Sequence, residues 1–377
     1  MRGLLVTLHK YMGLILGLLL SITGLSGSLI VFDRELDEFL DPATADFEPA
    51  TTLAPFDVAV ANARAAVDNG TEPTRLMLGR HAGAPHIVRF PTPPGALGPI
   101  EVSIDPGSGD VLTVRHWGEY PVTWIYRLHL NFFGGERGEL LVGIMGFCFL
   151  FFCLSGIIIW WPRTGKWRRA FTVRRRAGTF RLNFDLHKVL GLYFLPVFIL
   201  LSITGIEIVW HEPFERVVAA VLPVQEAPAP VSTPVASTAP GTTPLSMDEA
   251  AARARAVFPG SRIGRLYTPS SAEDAWEVTF MHPGERWREY GASSVYIDQY
   301  GGEVLAVWDA RELSAGSTLL TWMFPLHNGD ALGLVGRIVV FIAGLLPAAL
   351  FGTGVYMWWY KRRRRVREER LSALLAD

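Results

Sequence analysis

The sequence is poor in cysteine. Only Cys148 and Cys153 occur in 377 residues, and both fall in one apolar stretch. That excludes a disulfide framework and any CxxC metal or redox motif. Any redox chemistry must come from something other than thiols. Charge is scarce too, at 19% of residues, against roughly 25% in ordinary soluble proteins. The net charge of -1, from 35 Lys+Arg and 36 Asp+Glu, excludes a globally basic nucleic-acid binder. Apolar residues are abundant, at 50%, and the mean hydropathy is +0.25. Length alone points to about two or three domains; the hydropathy argues against a purely soluble enzyme.

Four stretches are long enough to cross a bilayer, which takes about 20 apolar residues. They are 11–32, 140–161, 189–210 and 338–360. The first is too long for a signal-peptide core, and Asp33, Arg34 and Glu35 follow it instead of small residues, so it reads as an uncleaved span. Basic residues set the orientation. Arg163, Lys166, Arg168, Arg169, Arg174, Arg175, Arg176 and Arg181 lie between spans two and three; Lys361 to Arg365 and Arg367 follow span four; Arg2 and Lys10 precede span one. All three groups are expected on the cytoplasmic side, with Trp160-Trp161 and Trp358-Trp359 at that interface. The expected layout is 1–32 N-terminus and first span; 33–125 first outer domain; 126–161 outer-face segment and second span; 162–186 basic loop. Then come 187–210 third span; 211–320 linker and second outer domain; 321–360 outer-face segment and fourth span; 361–377 basic tail. This leaves no room inside for an ATPase or NADH domain. Both termini are expected to be cytoplasmic and the two large segments outside, a space that in a two-membrane bacterium is the periplasm.

The chain repeats itself. Leu8-His9-Lys10 with Gly13-Leu14 returns as Leu186-His187-Lys188 with Gly191-Leu192. Each is followed by Ser-Ile-Thr-Gly, at Ser21–Gly24 and Ser202–Gly205, with three extra residues in the second copy. His129 precedes Ser155-Gly156 by 26 residues, and His327 precedes Thr353-Gly354 by 26. The repeat is parallel, so its halves are expected to be related by an axis along the membrane normal. The outer domains repeat as well. Each ends in a strand, an Asp-led turn with Gly, and a strand, starting at Val102 and Val295, which predicts a hairpin. Ala-rich amphipathic helices are expected at Phe56–Val67 and Met247–Val257, with Ser246 and Glu249 forming a capping box. Residues 223–244 read as a flexible Pro/Ala/Ser/Thr linker. The fold class is thus a membrane protein: a four-helix bundle of two parallel repeats with two small α+β outer domains.

Four of nine histidines occupy repeat-equivalent places: His9 and His187 inside, His129 and His327 outside. A pseudo-twofold axis would bring each pair face to face on one ligand. Zinc wants about four ligands, and no acid or Cys accompanies the pairs in both copies. Two opposed imidazoles suit haem iron. Without CxxCH the group would be non-covalent haem b, two per chain expected over one. Lys10, Lys188 and Arg127 stand as propionate partners. His211, beside Glu207, is a secondary candidate. His81, His86, His116 and His282 read as surface residues. The Ser-Ile-Thr-Gly and Ser/Thr-Gly motifs read mainly as close helix-packing sites.

These motifs, with the Trp-Trp span ends and the Asp-turn hairpins of two PepSY-like domains, resemble the PepSY-associated transmembrane family, the FoxB-like and PiuB-like iron-uptake proteins. The resemblance covers nearly the whole chain. It implies an inner-membrane protein with periplasmic PepSY domains, and a haem-dependent reductase passing electrons outward to a ferric siderophore or other ferric chelate to release Fe(II). The electron donor would be a quinol or a cytoplasmic reductase; lipid is the other partner, and nucleic acid is not one. Two rivals remain: a membrane-anchored PepSY binding or regulatory module, and a siderophore transporter without redox activity. Broken helices would favour transport; the span prolines are Pro196 and Pro347.

Overall fold

A computed structural model describes residues 2–41, 52–81, 83–162, 165, 167–232, 244–285 and 290–375. In chain order the elements are α1 (Arg2–Ile30), α2 (Asp33–Leu40), α3 (Phe56–Val67), β1 (Arg75–Met77), β2 (His86–Arg89), β3 (Ile100–Ile104) and β4 (Val111–His116). Then follow α4 (Pro121–Asn131), α5 (Gly135–Trp160), α6 (Trp167–Ala170), α7 (Thr179–Tyr193), α8 (Leu195–Val209), α9 (His211–Ala219) and α10 (Met247–Val257). The chain closes with β5 (Arg262–Tyr267), β6 (Trp276–Met281), β7 (Ser293–Ile297), β8 (Val304–Trp308), α11 (Ala315–Asn328) and α12 (Gly333–Leu374). They form two units. One gathers Met1–Val31, Ile125–Phe214 and Leu326–Asp377; the other gathers Phe32–Trp124 and Glu215–Pro325.

In the first unit α1, α5 and α12 are each long and apolar enough to cross a membrane. The pair α7–α8 adds a fourth span if its two arms count as one. Helix α1 packs along α12, and α5 along α8. Cys153, Phe198 and Ala343 are buried together against Phe149, Leu346 and Leu350. Polar contacts are few and used as staples: Ser28 Oγ donates to the Phe341 carbonyl at 2.7 Å, and the buried Arg337 donates to the Val31 carbonyl at 2.7 Å. Ile15, Leu18, Phe147 and Leu154 point outward and exposed, an apolar surface that fits lipid better than water.

The third span departs from the continuous helix expected at 189–210. Helices α7 and α8 meet at Phe194 with a 60° bend. Pro196 lies in the first turn of α8. It supplies no backbone N–H, and its ring clashes with the carbonyl four residues back, so the chain restarts there instead of running through. The three extra residues of the second copy fall in this stretch. The basic tail differs too. Helix α12 runs on to Leu374, with Arg364–Glu368 and Arg365–Glu369 pairs at 2.8 and 2.7 Å one turn apart.

The second unit holds an eight-stranded antiparallel sheet in the order β4-β3-β2-β1-β5-β6-β7-β8. Residues 33–125 and 211–320 each contribute four strands and one of the two Ala-rich helices. They join edge to edge, with Arg75 opposite Tyr267, Leu76 opposite Leu266 and Met77 opposite Arg265. Helices α3 and α10 form as their sequence predicts and cover one face, over a core that includes Ala63, Leu76, Val88, Val102, Ala250, Leu266, Val278 and Val295. The Ser246–Glu249 capping box is present. The helices also cap each other: Asp248 accepts from the Phe56 and Asp57 N–H groups at 2.9 and 3.0 Å, and Asp57 accepts from Met247 N–H at 3.0 Å. Both hairpins turn as expected. Asp105 accepts from Gly107 N–H at 2.7 Å, and Asp298 accepts from Tyr300 N–H at 2.9 Å.

Part of the expected linker is pinned to this unit. Gln225 N–H donates to Ser317 Oγ at 2.8 Å, and Ser232 N–H to the Glu273 carbonyl at 2.8 Å. Residues 233–243, Arg163 and Lys166 lie outside the described residues. Two histidines expected on the surface are buried. His86 is 6% exposed, and its Nδ1 accepts from Gly79 N–H at 3.0 Å. His282 is 8% exposed between Ser261 Oγ and Ser293 Oγ, at 2.8 and 2.9 Å. His282 has both ring nitrogens hydrogen-bonded, whereas His86 Nε2 is buried with no hydrogen-bond partner among the described residues; both side chains belong to the core by burial.

Candidate functional site

The first unit brings the repeat-equivalent histidines together in two pairs. His9 on α1 and His187 on α7 have ring centroids 6.4 Å apart, with planes at 72°. His129 on α4 and His327 on α11 also lie 6.4 Å apart, at 56°. All four are half-buried.

Each ring is held by Nδ1. His9 Nδ1 meets Ser155 Oγ at 2.8 Å. His187 Nδ1 meets Thr353 Oγ1 and the Leu350 carbonyl, both at 3.0 Å. His129 Nδ1 meets the Thr23 carbonyl at 2.9 Å, with Ser26 Oγ at 3.5 Å. His327 Nδ1 meets Thr204 Oγ1 at 2.8 Å. A carbonyl can only accept, so at His187 and His129 the proton sits on Nδ1 and Nε2 keeps its lone pair. Among the described residues no Nε2 of the four makes a hydrogen bond. This is the state of an imidazole prepared to ligate a metal, with its other nitrogen oriented by a neighbour.

The anchors explain motifs that sequence reasoning assigned to packing. Ser155 and Thr353 open the Ser/Thr-Gly pairs; Thr23 and Thr204 hold the third place of the Ser-Ile-Thr-Gly motifs. Sequence comparison of the halves aligns them, yet it does not say that a hydroxyl on one helix reaches a ring on another. Helix α1 also passes close to His129: a Cβ on Gly27 would come within 2.7 Å of its Cε1, and one on Gly205 within 3.3 Å of His327 Cε1. Any larger residue at Gly27 would push the ring out of place.

The donor set can be tested against candidate groups. Among the described residues no three His, Cys, Asp or Glu side chains gather as a metal-ion site. An ion needing only two axial nitrogens is a different matter. Metal–imidazole bonds of roughly 2 Å on each side, with about 1.1 Å from nitrogen to ring centre, place two such rings about 6.3 Å apart. Both pairs match that separation. Two imidazoles with no third protein ligand are a donor set that a haem iron could use. The two pairs are separated along α1 by the 14 residues from His9 to Thr23, about 21 Å of helix.

The secondary candidates sit elsewhere. Lys188 donates to Asp185 at 3.1 Å and to the Arg169 and Thr172 carbonyls at 2.9 and 3.2 Å. Lys10 is exposed over the Tyr11 ring, and Arg127 lies over Phe133. His211 Nδ1 pairs with Glu207 Oε1 at 2.6 Å, one helical turn away. The buried Asp185 is a structural hub that sequence reasoning missed; Arg181 at 2.9 Å and Lys188 share its charge.

Comparison with known proteins agrees with this architecture. An uncharacterized protein of Pseudomonas aeruginosa, PA4219, is 33% identical over 81 residues, 22% of this chain and 20% of that protein. The chain thus matches only about a fifth of that relative's length. The family model described as the PepSY-associated TM region matches residues 6–361. Span, apolar helices and match extent lead to one statement: the chain is a membrane protein and belongs to the family of the PepSY-associated TM region.

Proposed function

We propose that the chain is a transmembrane b-type haem reductase of the bacterial inner membrane, built from two parallel repeats of two spans each. It takes electrons from a quinol or a cytoplasmic reductase and delivers them to a periplasmic ferric siderophore or similar ferric chelate. One observation carries the reading: two histidine pairs at the same 6.4 Å separation, every Nδ1 anchored. Each anchor comes from the histidine's own half of the chain, and each pair joins the halves. That is what a twofold site for one shared ligand requires.

His9 and His187 would hold an inner haem, His129 and His327 an outer one. Haem supplies reversible one-electron Fe(III)/Fe(II) chemistry, with its potential tuned by the axial ligands and their hydrogen bonds. The residues contribute orientation: the hydroxyls and carbonyls hold each imidazole at Nδ1, and the carbonyls at His187 and His129 also set the tautomer. With both imidazoles of a pair holding the group, substrate would have no place on its iron, and the ferric chelate would dock beside the site. With the basic segments 162–186 and 361–377 cytoplasmic, both termini are inside and the sheet unit is periplasmic.

The test is a dithionite-reduced minus oxidised spectrum of the purified chain, with a pyridine haemochrome count. We expect b-type bands and about two haems per chain. His327→Ala and His187→Ala should each remove about one haem and abolish ferric-chelate reduction. A haem-free protein from haem-replete cells, or reduction that survives both substitutions, overturns the reading. The bent α7–α8 pair favours a second reading, transport through a broken helix. Chelate uptake into vesicles by a haem-free variant would support that one.

A further inference from the structure

The sheet face opposite α3 and α10 carries a row of charge. Arg115, Glu101, Arg89, Arg75, Tyr267 and Glu277 stand directly opposite one another across six strands. Register-paired residues share a face. Met77 and Arg265 belong to the next row, two residues along each strand.

The row is not evenly compensated. Arg115 is paired with Asp37 and Asp41 at 2.8 and 3.2 Å, and Arg89 with Glu101 at 3.0 Å. Arg75 and Arg265 have no carboxylate partner among the described residues. Arg75 lies 5.5 Å from the Tyr267 ring centre; Arg265 donates to the Tyr267 hydroxyl at 3.0 Å. The Nε atoms of Arg75, Arg89 and Arg265 are buried without a hydrogen-bond partner. Burial, with Arg89 and Arg265 nearby, pulls the Arg75 pKa below its ordinary value. Burial pushes the Tyr290 phenol up, yet Arg34 and Arg265 bring it below its ordinary value. The local field is therefore positive at the β1–β5 seam. Crowded, half-buried guanidinium groups without counter-charge destabilise a fold. They are the arrangement that an oxyanion relieves, since planar N–H forks match carboxylate oxygens two at a time.

Room is available on the same face. A cavity of about 50 Å³ adjoins β1 at Met77; Arg34, Arg115 and Tyr290 line it with the carboxylates of Asp37 and Glu38, and Arg75 and Arg265 lie outside its lining. Arg75 comes from the first outer segment and Arg265 and Tyr267 from the second, so the site exists only where the two halves join.

We infer that this seam binds the carboxylates of an anionic polycarboxylate ferric chelate, with Arg75 and Arg265 as the principal contacts. The iron in this statement rests on the proposed reductase reading; the anion does not. The test is calorimetric titration of the full chain in neutral detergent with redox-inert gallium(III) citrate. A cationic ferric trihydroxamate without carboxylates and phosphatidylglycerol vesicles serve as competing probes. Gallium citrate should bind, more weakly as salt rises. Arg75→Gln and Arg265→Gln should each weaken it at least tenfold, and Arg75→Lys by less. Thermal melting of Arg75→Gln should hold or rise, because a crowded charge is gone. Unchanged binding in both Gln variants, equal affinity for the trihydroxamate, or binding to the anionic vesicles alone overturns the inference. A haem-free chain that still binds gallium citrate sinks the reductase and leaves the seam. A chain with normal haem bands and no gallium citrate binding does the reverse.

Discussion

The helical unit and the sheet unit put the same duplicated chain to different use. In the helical unit, equivalent residues meet as side chains: His9 faces His187 and His129 faces His327, each pair 6.4 Å apart. In the sheet unit, the halves meet as backbone, β1 pairing with β5. The difference follows from the solvent. An apolar helix in lipid satisfies its backbone internally, so only side chains can join two halves. A strand carries open N–H and C=O groups along its edge, and a second copy with the same edge completes it. Paired side chains result from the first solution, and a continuous eight-stranded sheet from the second.

The largest expected effect lies at the seam. Leu76 and Leu266 face each other across it, both fully buried. Leu76→Ala should cost about 2–5 kcal/mol, read as a lower denaturant midpoint for loss of β-sheet circular dichroism, while haem bands persist. Simultaneous loss of haem would show that the units do not fold separately.

Acid should separate the units next. Burial pushes the His86 imidazole down to about 4, with Asp105 opposing the shift. The unfolded chain keeps an ordinary histidine value near 6.5, so between about 6.5 and 4 it binds a proton that the native state refuses. Stability is complete above that window and falls as pH drops through it, by at most about 3 kcal/mol. His282 is also shifted down by burial and Arg311, which adds to the trend. The sheet unit's melting temperature should fall between pH 6.5 and 4, and His86→Gln should flatten the slope. A slope unaltered by His86→Gln refutes the assignment.

A smaller effect distinguishes the two threonines of the repeated motif. Thr204 orients His327 through its hydroxyl, whereas Thr23 orients His129 through its carbonyl. Thr204→Val should weaken haem retention or shift its potential, about 10–100-fold in affinity as for other orienting partners. Thr23→Val leaves the carbonyl in place and should change little. Equal effects would mean that the motif acts through helix packing.

The smallest concerns the crossed helix caps. Asp57→Asn or Asp248→Asn should cost about 1 kcal/mol each, seen as a small drop in the sheet unit's melting temperature with histidine chemistry untouched. Burial pushes Asp57 up, but hydrogen bonds from the Asp248 side chain, Ser246 and the Met247 and Asp248 N–H groups hold it below its ordinary value. Its contribution is therefore present above about pH 4 and lost as pH falls through the native value.

Much of this was legible residue by residue. The helices at 56–67 and 247–257, the hairpins, the apolar helices and the paired histidines follow from periodicity, turn residues and internal repetition. The break at Phe194 was signalled by Pro196, but a proline in an apolar run does not announce whether its helix kinks or continues. The burial of His86, at the start of β2, and of His282, just after β6, carried no signal, because an isolated histidine at a strand end reads the same buried or exposed.

The sequence by itself determined the elements and their duplication: hydropathy, spacing and turn chemistry are local and need no partner. Only the tertiary structure decided that the outer segments share one sheet, that Ser155, Thr353 and Thr204 hold histidine rings, and that Arg75 stands near Arg265 with no carboxylate partner among the described residues. Those facts are distances between residues remote in sequence, from about 100 to nearly 200 positions apart, set by how helices cross and edges register. No local pattern encodes such distances.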